Sequence, residues 1–115
     1  MKILCVVLGL PKDLRFESIK SVMEQTVPVE MVLLLTMGSN RPTETERDVL
    51  KDAYEKIDLT TFDYILKIDG YIILPKDFLE RNLANELDIM MPAGCEIVKV
   101  QHILARAENG KRLKL

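Results

Sequence analysis

Three apolar runs constrain this chain more than any other feature: Ile3 to Leu8, Met31 to Leu35 and Tyr64 to Ile68. Each is too short for a buried helix and too continuously apolar for a half-exposed strand. Each is therefore expected as a strand buried on both faces. Between them lie segments with helical spacing. Strands that alternate with helices imply a mostly parallel sheet, covered on both sides and joined by right-handed crossovers. The expected fold class is α/β, a three-layer α/β/α arrangement in one domain over residues 1–115, with a β-rich C-terminal end.

The connecting segments carry their own signals. Asp13 is placed to cap a helix running to about Gln25, with Phe16, Ile19, Val22 and Met23 on one stripe. Thr26-Val27-Pro28 ends it, because proline cannot continue a helix. Thr36 to Pro42 reads as a polar loop. Thr43-Glu44-Thr45-Glu46 has the capping-box pattern, opening a helix to about Lys56 whose apolar face is Val49, Leu50, Ala53, Tyr54 and Ile57. Asp77 reads as the cap of a short helix ending near Leu87. Ile89 to Met91 reads as a brief strand, and Cys95 to Val100 as another, extending towards Ala107. Asn109-Gly110 is a two-residue turn signal, so a C-terminal hairpin is expected.

Composition narrows the function classes. A net charge of -2 gives no electrostatic reason to expect nucleic acid or an anionic membrane as partner. Lys111, Arg112 and Lys114 read as a solvated basic end. No stretch approaches the ~20 apolar residues that span a bilayer. Lys2 and the apolar run after it lack a cleavage site before Pro11, so a cytoplasmic protein is expected. Cys5 and Cys95 have neither metal-ligand spacing nor catalytic surroundings. Cys5 reads as a small core residue. A bond between the two cysteines stays open at this stage, although a reducing compartment argues against it.

Open α/β sheets bind ligands outside the carboxyl ends of their strands. Here those ends are Gly9 to Lys12, Thr36 to Asn40 and Asp69 to Tyr71. Nothing there matches a P-loop, a dinucleotide fingerprint or a nucleophile elbow. The one histidine, His102, has no Cys or Asp at ligand spacing and reads as structural or exposed. Lys67 faces either a phosphate or, as strand lysines near a sheet end usually do, solvent. Asp69 is either a ligand carboxylate or a turn residue paired with Gly70. Tyr71 reads as lining a shallow cleft, and Thr36 and Ser39 as loop and turn residues.

Four pieces in order resemble family 2 glycosyltransferases, which have the GT-A fold. Ser21-Val22-Met23-Glu24-Gln25-Thr26-Val27-Pro28 is similar to the end of that family's first helix. Leu35-Thr36-Met37-Gly38-Ser39 stands where the family carries Val-Asp-Asp-Gly-Ser, and Tyr64 to Asp69 resembles its Asp-x-Asp strand. Leu74-Pro75-Lys76-Asp77-Phe78-Leu79 is similar to the segment that follows. The resemblance covers roughly residues 1–88. It implies binding of a nucleotide-diphospho-sugar donor and glycosyl transfer. The implied binding residues are Asp69 near the ribose or diphosphate, Thr36 at the base, the Gly9-Leu10-Pro11 backbone at the nucleotide edge, and Tyr71. It also implies Mg²⁺ or Mn²⁺ at Asp69. Tyr71, however, replaces the second acid of Asp-x-Asp, and tyrosine is a poor ligand for a hard cation. Thr36 and Met37 replace two further acids. Each lost charge-assisted contact would cost ~1.5–3 kcal/mol, so losing two weakens donor binding about 10²- to 10⁴-fold. The family's acceptor-binding half and catalytic base lie beyond its Asp-x-Asp, and no residue here is assignable to them. A homo-oligomer or a partner chain is expected to complete the acceptor wall. The alternative expectation is a non-catalytic binding or assembly module that keeps the glycosyltransferase scaffold.

Overall fold

The computed structural model describes residues 1–36, 46–84 and 93–108. Four strands form one open sheet: β1 (Ile3–Gly9), β2 (Met31–Thr36), β3 (Tyr64–Asp69) and β4 (Cys95–Lys99), in the order β2-β1-β3-β4. β1 pairs in parallel with both β2 and β3, while β4 runs antiparallel to β3. The helices are α1 (Phe16–Met23), α2 (Glu46–Glu55), α3 (Phe78–Ala84) and α4 (Val100–Glu108). The expected α/β class with a mostly parallel sheet is what forms.

β1 is the centre of the molecule because every residue from Ile3 to Leu8 is apolar, and each is at most 2 % exposed. Side chains alternate across a strand, so β1 feeds two cores. Ile3, Cys5 and Val7 pack with Leu66, Ile68, Val22 of α1 and Leu79 of α3. Leu4, Val6 and Leu8 pack with Ile65, Leu50 and Tyr54 of α2, Phe62 and Ile103 of α4. Helices therefore cover both faces. Full burial of each such aliphatic side chain contributes about 1.5–3 kcal/mol.

Four sequence expectations need correction. β2 is an edge strand, with Met31 42 % and Leu34 50 % exposed, because it has one neighbour in the sheet order among the described residues. Asp13 caps no long helix. Pro11–Asp13 form a 3-10 turn, with Asp13 N–H donating to the Leu10 carbonyl, and Leu14 and Arg15 are extended before α1 begins. They are extended because Leu14 packs on Gly9 and Gly70, and Arg15 N–H donates to the Gly70 carbonyl at 2.9 Å. The stripe expected for α1 is only partly inward: Val22 is buried, while Phe16 and Met23 are more than 70 % exposed. The face turned inward carries Ser18, Ser21 and Val22, and Gln25 is buried just past the helix end.

Among the described residues the C-terminal end is not β-rich. A single strand is followed directly by α4, whose Val100, Ile103 and Leu104 fall at helical spacing and pack on the second core. His102 is exposed on this helix. The Thr43 capping box, the Gly38-Ser39-Asn40 loop, the Ile89 to Met91 strand and the Asn109-Gly110 turn lie outside the described residues. No helix among the described residues is long and apolar enough to cross a membrane.

The polar face of α1 has a specific partner. Ser21 Oγ accepts from Leu74 N–H at 3.0 Å and donates to the Ser18 carbonyl at 2.7 Å. Gln25 Nε2 donates to the carbonyls of Ser21 (3.0 Å) and Pro75 (2.6 Å), and Gln25 Oε1 accepts from Leu79 N–H at 3.0 Å. Thr26 N–H donates to the Lys76 carbonyl at 2.9 Å. The segment Ser21 to Thr26 and the segment Leu74 to Leu79 are thus two halves of one clamp. A buried backbone loop must have its polar groups paired, which is why this helix turns hydroxyl and amide groups inward.

Both cysteines are free and buried. Cys5 is on β1 and Cys95 on β4, with β3 between them. Two strand spacings amount to roughly 9.5 Å, beyond the ~7 Å Cα separation a disulfide tolerates. Burial pushes the Cys5 thiol up to about 12, helped by Cys95, and burial followed by the Asp69 and Glu96 charges pushes Cys95 up to about 11. In the unfolded chain both ionise near 9.0. Above that pH the unfolded state binds fewer protons than the folded one, so stability falls as pH rises. We expect the cysteine contribution to be complete below pH 9 and lost progressively towards pH 12. Denaturant titrations across that range check this against a Cys5→Ala, Cys95→Ala double variant, whose stability should decline less over the same interval.

Candidate functional site

The carboxyl ends of the parallel strands meet at one edge of the sheet. Gly9 is in register with Thr36, and Leu8 with Asp69. β1 connects onward to β2 on one side and has β3 on its other side, with crossover helices on opposite faces. In open sheets that reversal leaves a crevice at the strand ends. Asp69 is the last residue of β3, at this point.

The turn after Asp69 is tightly built. Gly70 N–H donates to the Leu8 carbonyl at 2.7 Å, and the Gly70 carbonyl accepts from Arg15. A Cβ on Gly70 would collide with Leu14 Cδ2 and come within 3.3 Å of the Leu14 Cα and the Leu8 oxygen. Close approach favours glycine here, since any side chain would displace Leu14. The Asp-Gly pair therefore ends the strand and locks it to the 10–15 segment.

Asp69 itself is held at several atoms. Its N–H donates to the Gly94 carbonyl at 2.9 Å, and its carbonyl accepts from Ile72 N–H at 3.0 Å. Its Oδ2 accepts from the Tyr71 hydroxyl at 3.3 Å. Gly94, with φ of +80°, lies directly against the carboxylate. Lys67, Asp69, Gly94, Cys95 and Glu96 line an open cavity of about 210 Å³. Lys67 Nζ is 3.3 Å from Glu96 Oε2, its registered neighbour across β3 and β4. With a quarter of its side chain exposed, Lys67 belongs to the cavity wall rather than to open solvent. Two carboxylates and one ammonium leave this wall with an excess negative charge.

The six residues expected at the site separate into three groups. Asp69 and Tyr71 come together. Gly9, Leu10 and Pro11 adjoin them through the Gly70 turn, but Gly9 is packed beneath Leu14 and the Leu10 carbonyl is taken by Asp13. Thr36, at the same sheet edge but on the far side of β1, lines a separate cavity of about 350 Å³ between β2 and α2, with Leu33, Leu35, Val49, Asp52, Ala53, Lys56 and Ile57. β1 stands between the Thr36 and Asp69 strands. Reasoning from the residues missed Gly94 as a site residue. The available signal was a glycine immediately before an alternating apolar strand, which marks a close approach as often as a turn.

Among the described residues, the donors at this mouth do not make up a divalent-cation site. Such ions take several oxygen ligands, usually more than one carboxylate. Among the described residues no three of His, Cys, Asp and Glu are grouped to hold a metal. The neighbour of Asp69 at the mouth is a phenol hydroxyl that donates to it. Compared with family models, with curated proteins and with solved structures, the chain gives no match in any of the three.

Proposed function

We propose that this chain is a nucleotide-diphospho-sugar-binding domain of the glycosyltransferase type, in which Asp69 is the ligand carboxylate. The observation that carries this reading is the position of Asp69, at the carboxyl end of β3 beside the reversal in strand order. The clamp between Ser21–Thr26 and Leu74–Leu79 supports it further. The two segments most similar to the family's motifs prove to be one structural unit that holds the loop leaving Asp69.

In this role the Asp69 carboxylate accepts hydrogen bonds from ligand hydroxyls, as a ribose presents. Lys67, across the same cavity, offsets part of the charge of a phosphate. The cavity of about 210 Å³ is smaller than the ~300–1,000 Å³ of most small-molecule sites, so it takes one ring of the donor and leaves the rest over the open strand ends. No general base is assigned, so the transfer step itself is not drawn.

A specific observation favours a second reading, a binding or assembly module without donor affinity: β1 separates Thr36 from Asp69, and the two line different cavities. Calorimetric titration with UDP-, GDP- and dTDP-sugars separates the two. The donor reading expects saturable heat that falls at least tenfold in affinity in Asp69→Ala, the loss of one charge-assisted hydrogen bond. Thr36→Ala is expected to change affinity less than threefold. Absence of heat with millimolar ligand and folded protein would establish the module reading instead.

A further inference from the structure

A carboxylate at a strand end serves a ligand either as one arm of a cation site or as a hydrogen-bond acceptor, and the surroundings of Asp69 select the second. The Tyr71 hydroxyl donates to Oδ2 at 3.3 Å and so occupies a lone pair a cation would use. Gly94 lies against that same oxygen, so closely that any Cβ there would collide with Oδ2, and would also come within 2.9 Å of Ile72 Cδ1. A third constraint is Lys67, which brings an ammonium into the same cavity wall, bound to Glu96 at 3.3 Å. That leaves Glu96 paired and puts an ammonium on the same wall as the two carboxylates. Hard divalent ions need several free oxygens around one point, and of the two carboxylates on this wall Glu96 is paired with Lys67 and Asp69 accepts from the Tyr71 hydroxyl.

We propose that Tyr71 stands in for a metal ion at this mouth: its hydroxyl fixes the Asp69 carboxylate, and the site takes its ligand without a divalent cation. The role of Tyr71 is positioning, since it acts through Asp69. The ligand half of the statement rests on the donor reading above. The metal half does not, because it concerns the protein and the ion alone.

The test uses Mn²⁺ as a paramagnetic probe on the full chain, followed through backbone amide signals. In the unsubstituted protein, the Gly70, Tyr71 and Gly94 amides are expected to broaden no more than surface amides at equimolar Mn²⁺. Tyr71→Asp replaces the donor by a second carboxylate, shorter than the phenol by a ring, and should bind Mn²⁺ at least tenfold tighter, with broadening centred on those amides. Tyr71→Phe removes the donor, supplies no oxygen, and should gain nothing. Tyr71 is 54 % exposed, so both variants are expected to fold. The proposal is overturned if the unsubstituted protein already broadens selectively at Gly70 and Gly94, or if Tyr71→Asp binds Mn²⁺ no better. A parallel titration with nucleotide-sugar, in EDTA and in Mn²⁺, should give affinities equal within threefold. Binding only in Mn²⁺ overturns the proposal and spares the donor reading. Binding in neither arm sinks the donor reading, while the amide map still decides the question of the metal.

Discussion

Gln25→Ala is expected to lower stability by about 2–4 kcal/mol, more than a polar residue on a short helix ordinarily contributes. The side chain is 7 % exposed and makes three hydrogen bonds to backbone groups. Each such bond contributes ~0.5–1.5 kcal/mol net, and each buried group left unpaired costs ~1–3 kcal/mol. The most affected group is Leu79 N–H, in the first turn of α3, where no carbonyl of its own helix can reach it. Alanine removes its acceptor and the donor to the Pro75 carbonyl together. Urea unfolding should show a lower midpoint with an unchanged slope, since the same surface is exposed on unfolding. The Leu79 amide should lose its exchange protection ahead of the β1 amides. Gln25→Glu is the sharper variant. A carboxylate still accepts from Leu79 but cannot donate to Pro75, and it buries a charge. Its loss should equal or exceed that of alanine at pH 7 and shrink as the pH falls and the carboxyl regains a proton. A cost below about 1 kcal/mol for both variants would mean that the clamp does not hold the loop.

Gly94→Ala is expected to cost a similar ~2–5 kcal/mol and to disturb Asp69 as well. Two terms add. An L-residue in the left-handed region carries ~1–2 kcal/mol of steric penalty. Forcing a methyl against packed atoms costs ~1–3 kcal/mol, here against the Asp69 carboxylate and Ile72 Cδ1, the latter at 2.9 Å. Gly94→Asn separates them, because asparagine tolerates the left-handed backbone yet still carries a Cβ. Thermal unfolding should rank the glycine protein first, with both variants at least ~1 kcal/mol lower, a shift of about 4 °C or more for a domain near this length. The Asp69 and Tyr71 amide signals should move in both variants. If Gly94→Asn matches the unsubstituted stability, the contact with Asp69 is not tight, and Gly94 serves only as a turn.

Much of the fold was legible because it is written in local spacing. Three apolar runs closed by Gly9, Thr36 and the Asp69-Gly70 pair became β1, β2 and β3. The apolar face of α2, with Leu50 and Tyr54 buried, followed from periodicity in the same way. Two elements were misread where a local pattern had more than one solution. Val98 and Val100 alternate like a strand, yet Val100, Ile103 and Leu104 are also spaced like a helix, and packing on the second core chose the helix. α1 was read by its apolar residues, but its inward neighbour is partly a loop backbone, which needs hydrogen-bond partners.

The candidate site divides along the same line. Asp69 at a strand end and glycine after it could be read from the chain, because a strand ending in Asp-Gly is a short-range pattern. That Thr36 would stand apart from Asp69 could not, since it depends on β1 lying between β2 and β3. Nor could the seat that Gly94 gives to the carboxylate, or the capping of α3 by Gln25 from the segment after α1. The residues by themselves determined most of the strands and helices and the edge at which the parallel strands end, because backbone geometry and side-chain periodicity act within a few positions. Strand order, the inward face of α1 and the neighbours of Asp69 were decided only in three dimensions, because they depend on contacts between segments tens of residues apart, which compete for the same buried surface and the same backbone hydrogen bonds.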